Sequence, residues 1–270
     1  MTKARREIAD AMPSQDLVIE VLDARAPLAT ANPVLDELRS ETPCLRVLNK
    51  SDLADADVTE AWLAHLTSQA QRGRVVAMAA STLKAGDVRA RVERLSRALA
   101  PEKRPADRPI RAMIVGIPNV GKSSLINALM NRVVAKVGDK PAVTKAQQQV
   151  VLPWGMVLSD NPGILWPKIE DPDAAMRLAL LGSIPDTAFE LQIVAQFAAR
   201  LLRARYADRL RARYKLDQLP EDPAALLDAI GRRRGCLRAG GVVDAHKAAE
   251  VLIHDARSGV LGRMTLETPG

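Results

Sequence analysis

Short apolar runs alternate with amphipathic stretches over the first 160 residues. Cys44-Leu-Arg-Val-Leu48, Val75-Val-Ala-Met78, Ile110-Arg-Ala-Met-Ile-Val115 and Met156-Val-Leu158 predict buried strands, and Ser124-Leu-Ile-Asn-Ala-Leu-Met130 carries its apolar residues at helical spacing. Strands alternating with helices predict an α/β fold around a doubly wound, mostly parallel sheet. Beyond residue 170 the strand pattern stops. Residues 174–181 and 189–202 have helix-period apolar positions. Asp222-Pro223 reads as an N-cap with proline in the first turn, leading into a helix over 224–230 that Gly231 stops, and Asp244 could cap another helix through Ala256. The expected organisation is therefore an α/β domain over 1–170 and a small all-α domain over 171–270. A polar, proline-rich linker at about 101–109 lies inside the first domain, and a short hinge from Trp166-Pro167 to Pro172 leads into the second.

At 270 residues and 47% hydrophobic, the chain can bury a full core and a second small domain. No run of 18 uncharged apolar residues occurs, and Lys3, Arg5 and Arg6 are not followed by the apolar stretch of a signal peptide, so a cytoplasmic protein with no membrane partner is expected. Cys44 and Cys236 lie far apart and fit reduced thiols better than a disulfide or a metal site. The net charge of +7 points to polyanions, but residues 171–270 hold 15 Lys and Arg against 13 Asp and Glu, so the tail is not uniformly basic. Its charge is concentrated in Arg200, Arg203, Arg205, Arg209, Arg211, Arg213 and Lys215, with Tyr206 and Tyr214 interleaved, and again in residues 232–234. These patches suit phosphate contacts with aromatic stacking, as in RNA recognition; the alternative is a solvated helix of an arginine-rich proteome.

The candidate chemistry lies on the turns after the strands. Gly116-Ile-Pro-Asn-Val-Gly-Lys-Ser123 sits between a strand and a helix, the context of a phosphate-binding loop. Asn119, Val120, Gly121, Lys122, Ser123 and Ser124 would surround the phosphates, Lys122 reaching the β- and γ-oxygens and Ser123 offering its hydroxyl to Mg²⁺. Asp160-Asn-Pro-Gly163 follows a strand, so Asp160 could hold Mg²⁺ through water and Gly163 could donate its N–H to the γ-phosphate. Between them, Thr144 is the candidate second Mg²⁺ ligand, in a loop that closes on triphosphate and releases after hydrolysis. Asn49-Lys50-Ser51-Asp52 ends an earlier strand. Asp52 can accept from guanine N1–H and the 2-amino group, a donor pair that adenine lacks; Asn49 would support the loop and the Lys50 stem would cover the purine. Backbone N–H groups of Ala80 and Ser81 are further base contacts. All parts of a GTP/GDP site are thus present, but the base-reading tetrad precedes the phosphate loop by about seventy residues, the reverse of the ordinary order.

This motif order, with Asp23-Ala-Arg-Ala-Pro27, Gly116-Ile-Pro-Asn-Val-Gly-Lys-Ser-Ser124, Asp160-Asn-Pro-Gly-Ile-Leu-Trp-Pro167, Gly235-Cys-Leu237 and Gly240-Gly241, resembles the ribosome biogenesis GTPase A family of circularly permuted GTPases across essentially the whole chain. The resemblance implies a permuted P-loop GTPase domain, a helical domain that contacts ribosomal RNA, and a late step of large ribosomal subunit assembly; off the ribosome a monomer is expected. An RNA-binding placeholder with little hydrolysis, or a GTPase acting on another RNA, remain the alternatives. Ile164 stands where many GTPases have a water-orienting glutamine, so intrinsic hydrolysis should be slow. Asn119 matches the position where related GTPases hold K⁺ against the phosphates, or else it only shapes the loop. Family members usually begin with a segment ending in a histidine that acts on the water. The chain starts at the stretch that follows, so either its start is clipped or the histidine is dispensed with. His65, His246 and His254 lie in segments that read as ordinary helices.

Overall fold

The structure, a computed structural model, describes residues 3–68, 74–102, 108–131, 148–160 and 169–270. Thr144, Gly163, Ile164 and Trp166 lie outside them. The chain forms two compact units, Met1–Ile169 with Glu267–Gly270, and Glu170–Leu266.

In the first unit, strands β1 (Leu17–Asp23), β2 (Cys44–Asn49), β3 (Val75–Ala79), β4 (Arg111–Val115), β5 (Gln148–Val151) and β6 (Val157–Asp160) form one sheet in the order β3-β2-β1-β4-β6-β5. Every pairing is parallel except β5 against β6. All seven residues of β1 are buried, as a strand with both faces covered requires. Asp23 lies opposite Asn49, and Glu20 opposite Val115, so the C-terminal ends of β2, β1 and β4 meet on one edge of the sheet, with β1 between the other two. Ligands of doubly wound sheets bind at such an edge.

The covering helices are selected by spacing. α1 (Lys3–Ala11) contributes Ile8 to a cluster with Met12, Val18, Leu35, Cys44, Val75, Met113 and Val115. After the short α2 (Pro27–Thr30) and α3 (Leu35–Arg39), α4 (Ala56–Ser68) buries Thr59, Trp62 and Leu66, and α5 (Ala85–Leu99) buries Val88, Val92, Ser96 and Leu99, each set three or four residues apart on one face. The Cys44 thiol is pushed up to about 12 by burial, with the charge of Glu20 adding to it, and it is not disulfide-bonded.

Glu267 joins this unit from the far end of the sequence. Its Oε1 accepts the backbone N–H groups of Leu28 and Ala29 in the first turn of α2, and its carbonyl accepts from the Trp62 indole at 3.3 Å. Glu267→Ala strands two amides that no helix bond can satisfy, and is expected to destabilise the protein by about 1–3 kcal/mol in denaturant melts. Glu267→Gln, which keeps an acceptor oxygen, should recover part of that loss.

The second unit packs α7 (Pro172–Leu180), α8 (Leu191–Tyr214), α9 (Pro223–Arg233) and α10 (Ala245–Ser258). α6 (Lys122–Met130) belongs to the first. Side chains of Asp171, Asp222 and Asp244 cap α7, α9 and α10 by accepting from Asp173, Ala225 and Lys247 N–H. Two boundaries differ from the sequence pattern. α8 starts at Leu191 and runs far past Leu202 to Tyr214, with a non-helical break at Tyr206, whose hydroxyl donates to the Thr265 carbonyl and accepts from the Thr265 N–H. Gly231 does not stop α9, which continues to Arg233; it is buried, and a Cβ there would lie 2.5 Å from Val243 Cγ1 and 3.0 Å from Ala248 Cβ. Close packing, not termination, accounts for that glycine. Among the described residues, no helix is long and apolar enough to cross a membrane.

The arginine-rich stretch is also rearranged by the fold. Tyr214 is 2% exposed and its hydroxyl donates to Asp255, which also accepts from Arg213. It is therefore a core residue and cannot stack on a base. Tyr206 is half-buried with Arg209 4.6 Å over its ring. Arg205, Arg211, Lys215 and residues 232–234 remain on the surface.

Candidate nucleotide site

The turn after β4 runs into α6 with Gly121 in the left-handed region at φ +95°. A side chain there is excluded for a second reason: a Cβ would stand 2.2 Å from Asn49 Nδ2. Gly116, at the other end of the loop, has Val21 O only 2.6 Å from where its Cβ would be. Both glycines therefore let the loop lie against β1 and the tetrad without a Cβ in the way.

Asn49 and Lys50 close onto this loop from seventy residues away in sequence. Asn49 Nδ2 donates to the Val120 carbonyl at 2.9 Å, and Lys50 Nζ donates to the Asn119 carbonyl at 2.6 Å. Lys50 and Asn119 both adopt left-handed backbone, at φ +57° and +63°. Asp52 is half-buried on the turn that follows, where Leu53 N–H bonds to the Lys50 carbonyl. The turn is tied to the next strand by the Ser51 N–H, which donates to Ala80 O at 3.0 Å. The Ala80 N–H donates to Leu48 O at 2.8 Å, which engages it in the sheet and corrects the expectation that it contacts the base. The Ser81 hydroxyl accepts from Leu83 N–H and caps a short 3-10 turn.

Lys122, 8% exposed, donates from Nζ to the carbonyls of Gly116 and Ile117 at 2.8 and 3.1 Å. Burial pushes its pKa down to about 8, with the charge of Asp160 opposing the fall. Asp160 ends β6, where burial raises its pKa to about 6 against the countering charge of Lys122. Its Oδ1 is buried and has no hydrogen-bond partner among the described residues, and the same holds for Asn49 Oδ1. A buried orphan oxygen at the C-terminal sheet edge, with the half-buried Ser123 at the start of α6, is a hard-oxygen donor set of the kind Mg²⁺ takes. Thr144 and Gly163 lie outside the described residues.

Two residues to which the motif analysis gave no role stand in this cluster. Asp23 and Arg25 are 1% and 2% exposed, and they form a bidentate pair with Arg25 Nη2 2.9 Å from Asp23 Oδ2. Asp23 Oδ2 is also 3.0 Å from Lys50 Nζ. The sequence signal was a carboxylate at a strand end with an arginine two residues on; its connection to Lys50 is visible only in the fold.

The family described as 50S ribosome-binding GTPase matches residues 111–203. The chain is 45% identical to ribosome biogenesis GTPase A of Bacillus cereus, an alignment covering all of this chain and 92% of that protein. It is 34% identical to the Thermotoga maritima ribosome biogenesis GTPase A over 99% of this chain and 91% of that one. A crystal structure of GNP-bound YlqF from T. maritima is similar at a TM-score of 0.67 and 30% identity, covering 99% of this chain and 98% of that chain. With its tetrad on β2, its phosphate loop on β4 and relatives of this kind across its whole length, the chain belongs to the ribosome biogenesis GTPase A family and is a GTP-hydrolysing enzyme with a circularly permuted P-loop domain.

Proposed function

We propose that the protein is a slow GTPase of large ribosomal subunit assembly, with its guanine specificity set by Asn49, Lys50 and Asp52. The observation that carries the nucleotide assignment is the tie of Asn49 and Lys50 to the carbonyls of Val120 and Asn119, which holds tetrad and phosphate loop as one unit. Asp52 accepts from guanine N1–H and the 2-amino group, the Lys50 stem covers the ring, and the Ser81 N–H is the remaining backbone donor for the base. Lys122 and the N–H groups of residues 119–124 receive the phosphates. Mg²⁺, when bound, neutralises charge on the β- and γ-phosphates; Ser123 and Asp160 would hold it, joined by Thr144, with Gly163 donating to the γ-phosphate. Asn119 would hold K⁺ beside the phosphates and supply part of the charge that an arginine finger gives elsewhere. The exposed Arg205, Arg211, Lys215 and residues 232–234 offer phosphate contacts to ribosomal RNA. The names of the relatives and of the matching family support a ribosomal partner, and the protein meets that partner in the cytoplasm.

The base assignment is tested by Asp52→Asn, whose amide can donate to the 2-carbonyl of xanthine. It should weaken GDP binding by about 1–3 kcal/mol and favour xanthosine nucleotides, and an unchanged preference would refute the role of Asp52. The ribosomal reading is tested by GTP hydrolysis in potassium and in sodium buffer, with and without large subunits. The expected result is turnover raised about tenfold or more by subunits, most strongly in potassium. Subunit binding without any stimulation would favour an RNA-binding placeholder instead.

A further inference from the structure

Between the tetrad and the phosphate loop, the end of β1 carries two buried charges that the nucleotide reading leaves without a task. Asp23 lies directly opposite Asn49 in the sheet register. Its Oδ1 accepts from the Arg25 backbone N–H and from Arg25 Nε, both at 3.0 Å, and its Oδ2 from Arg25 Nη2 at 2.9 Å. The Lys50 ammonium stands 3.0 Å from the same Oδ2 and donates to the Asn119 carbonyl. The Asp23 N–H is held by Thr30 Oγ1, itself anchored by donating to the Ala26 carbonyl at 2.7 Å.

Charge balance gives this arrangement a purpose. Lys50 ends beside a loop built to receive phosphates, and an ammonium left to itself there would be drawn toward them. Asp23 and the Asn119 carbonyl together engage that ammonium within the protein. They also hold Lys50 in a left-handed backbone conformation that a non-glycine residue keeps only when its surroundings over-determine it. Burial alone would push the Asp23 carboxyl up, but the charges of Arg25 and Lys50 and the hydrogen bonds from Arg25 hold it far below the usual carboxylate range, so it stays ionised. Arg25 in turn senses the charge of Asp52 as well as that of Asp23.

We infer that Asp23 and Arg25 are positioning residues for guanine recognition: Asp23 fixes Lys50 of the tetrad, and Arg25 fixes Asp23. The inference rests on the base-reading role proposed above for Asn49, Lys50 and Asp52. A purely structural pair would stabilise the strand end without affecting which purine is bound.

The test compares GDP and IDP affinity in the full chain, because inosine lacks only the 2-amino group and so reports one of the two bonds assigned to Asp52. Wild type, Asp23→Asn, Arg25→Met, Arg25→Lys and Asp52→Asn are measured side by side, with a melting curve for each. Arg25→Met and Asp23→Asn are expected to lower the GDP-to-IDP preference by about tenfold, equivalent to 1.4 kcal/mol. IDP affinity itself should fall less, and Arg25→Lys should restore part of the preference. A lowered melting temperature with the GDP-to-IDP ratio of wild type would overturn the positioning role. Should Arg25→Met fail to fold, the near-isosteric Asp23→Asn and the charge-retaining Arg25→Lys give the same readout. Asp52→Asn separates the two layers: if it leaves guanine preference intact, the base reading itself fails. If it shifts preference to xanthosine while the Asp23 and Arg25 variants discriminate like wild type, only the positioning inference fails.

Discussion

Lys122→Ala should reduce GTP turnover by about 10²-fold or more while leaving the nucleotide-free protein folded. The first part follows from charge, since a preorganised donor aimed at phosphoryl oxygens supplies stabilisation of about that size and no neutral side chain replaces it. The second follows from burial. A lysine whose pKa is pushed down to about 8 carries its proton at a cost to the folded state. The unfolded side chain titrates near 10.5, so as pH falls from above 10.5 through 8 the unfolded chain binds the proton first, and the folded state loses stability across that window. Removing the side chain removes this burden. Against it stand two lost hydrogen bonds to the Gly116 and Ile117 carbonyls, about 0.5–1.5 kcal/mol each. The melting temperature at pH 7 should therefore change little, and wild type should lose stability relative to the variant as pH is lowered from 10.5 to 8. Wild-type turnover in Lys122→Ala would refute the phosphate-loop assignment, and joint loss of activity and fold would assign the residue to structure.

Gly121→Ala should be the most damaging single methyl in the first unit. Two penalties add: a left-handed φ of +95° that an alanine adopts only at about 1–3 kcal/mol, and a Cβ placed 2.2 Å from Asn49 Nδ2. The amide of Asn49 must then leave the Val120 carbonyl, so nucleotide affinity should fall together with stability. Gly155→Ala isolates the first penalty, because Gly155 has φ +85° and nothing within 4 Å of its missing Cβ. The difference between the two variants measures the crowding. If the crowding is against Asn49, Gly121→Ala in an Asn49→Ala background should cost clearly less than in wild type, a coupling that a double-mutant cycle reads directly. Equal costs in both backgrounds would show that the tetrad does not press on the phosphate loop.

The division between legible and illegible features follows the range of each interaction. The strand-turn-helix context of Gly116 to Ser123, the tetrad at the end of β2 and the aspartate caps of α9 and α10 were readable because each is satisfied within a few residues of itself: a turn needs its glycine, a helix end its oxygen acceptor. The parallel sheet was readable from strands alternating with helices, since parallel neighbours require a crossover between them. Gly231 was misread as a stop because the reason for it, the side chains of Val243 and Ala248, lies outside its own helix. Tyr214 was misread as a stacking platform because its face of α8 is decided by Asp255 of α10. Glu267 carries no local signal; any carboxylate near a chain end looks the same until two amides 238 and 239 residues away need an acceptor. That a guanine-nucleotide site exists, and in what order its parts come, follows from residue order along the chain. That the tetrad is bonded to the phosphate loop, and that Asp23 and Arg25 stand behind it, emerges once the chain is folded. Those bonds join strand ends brought side by side by the sheet, and no spacing along the chain encodes which strand lies next to which.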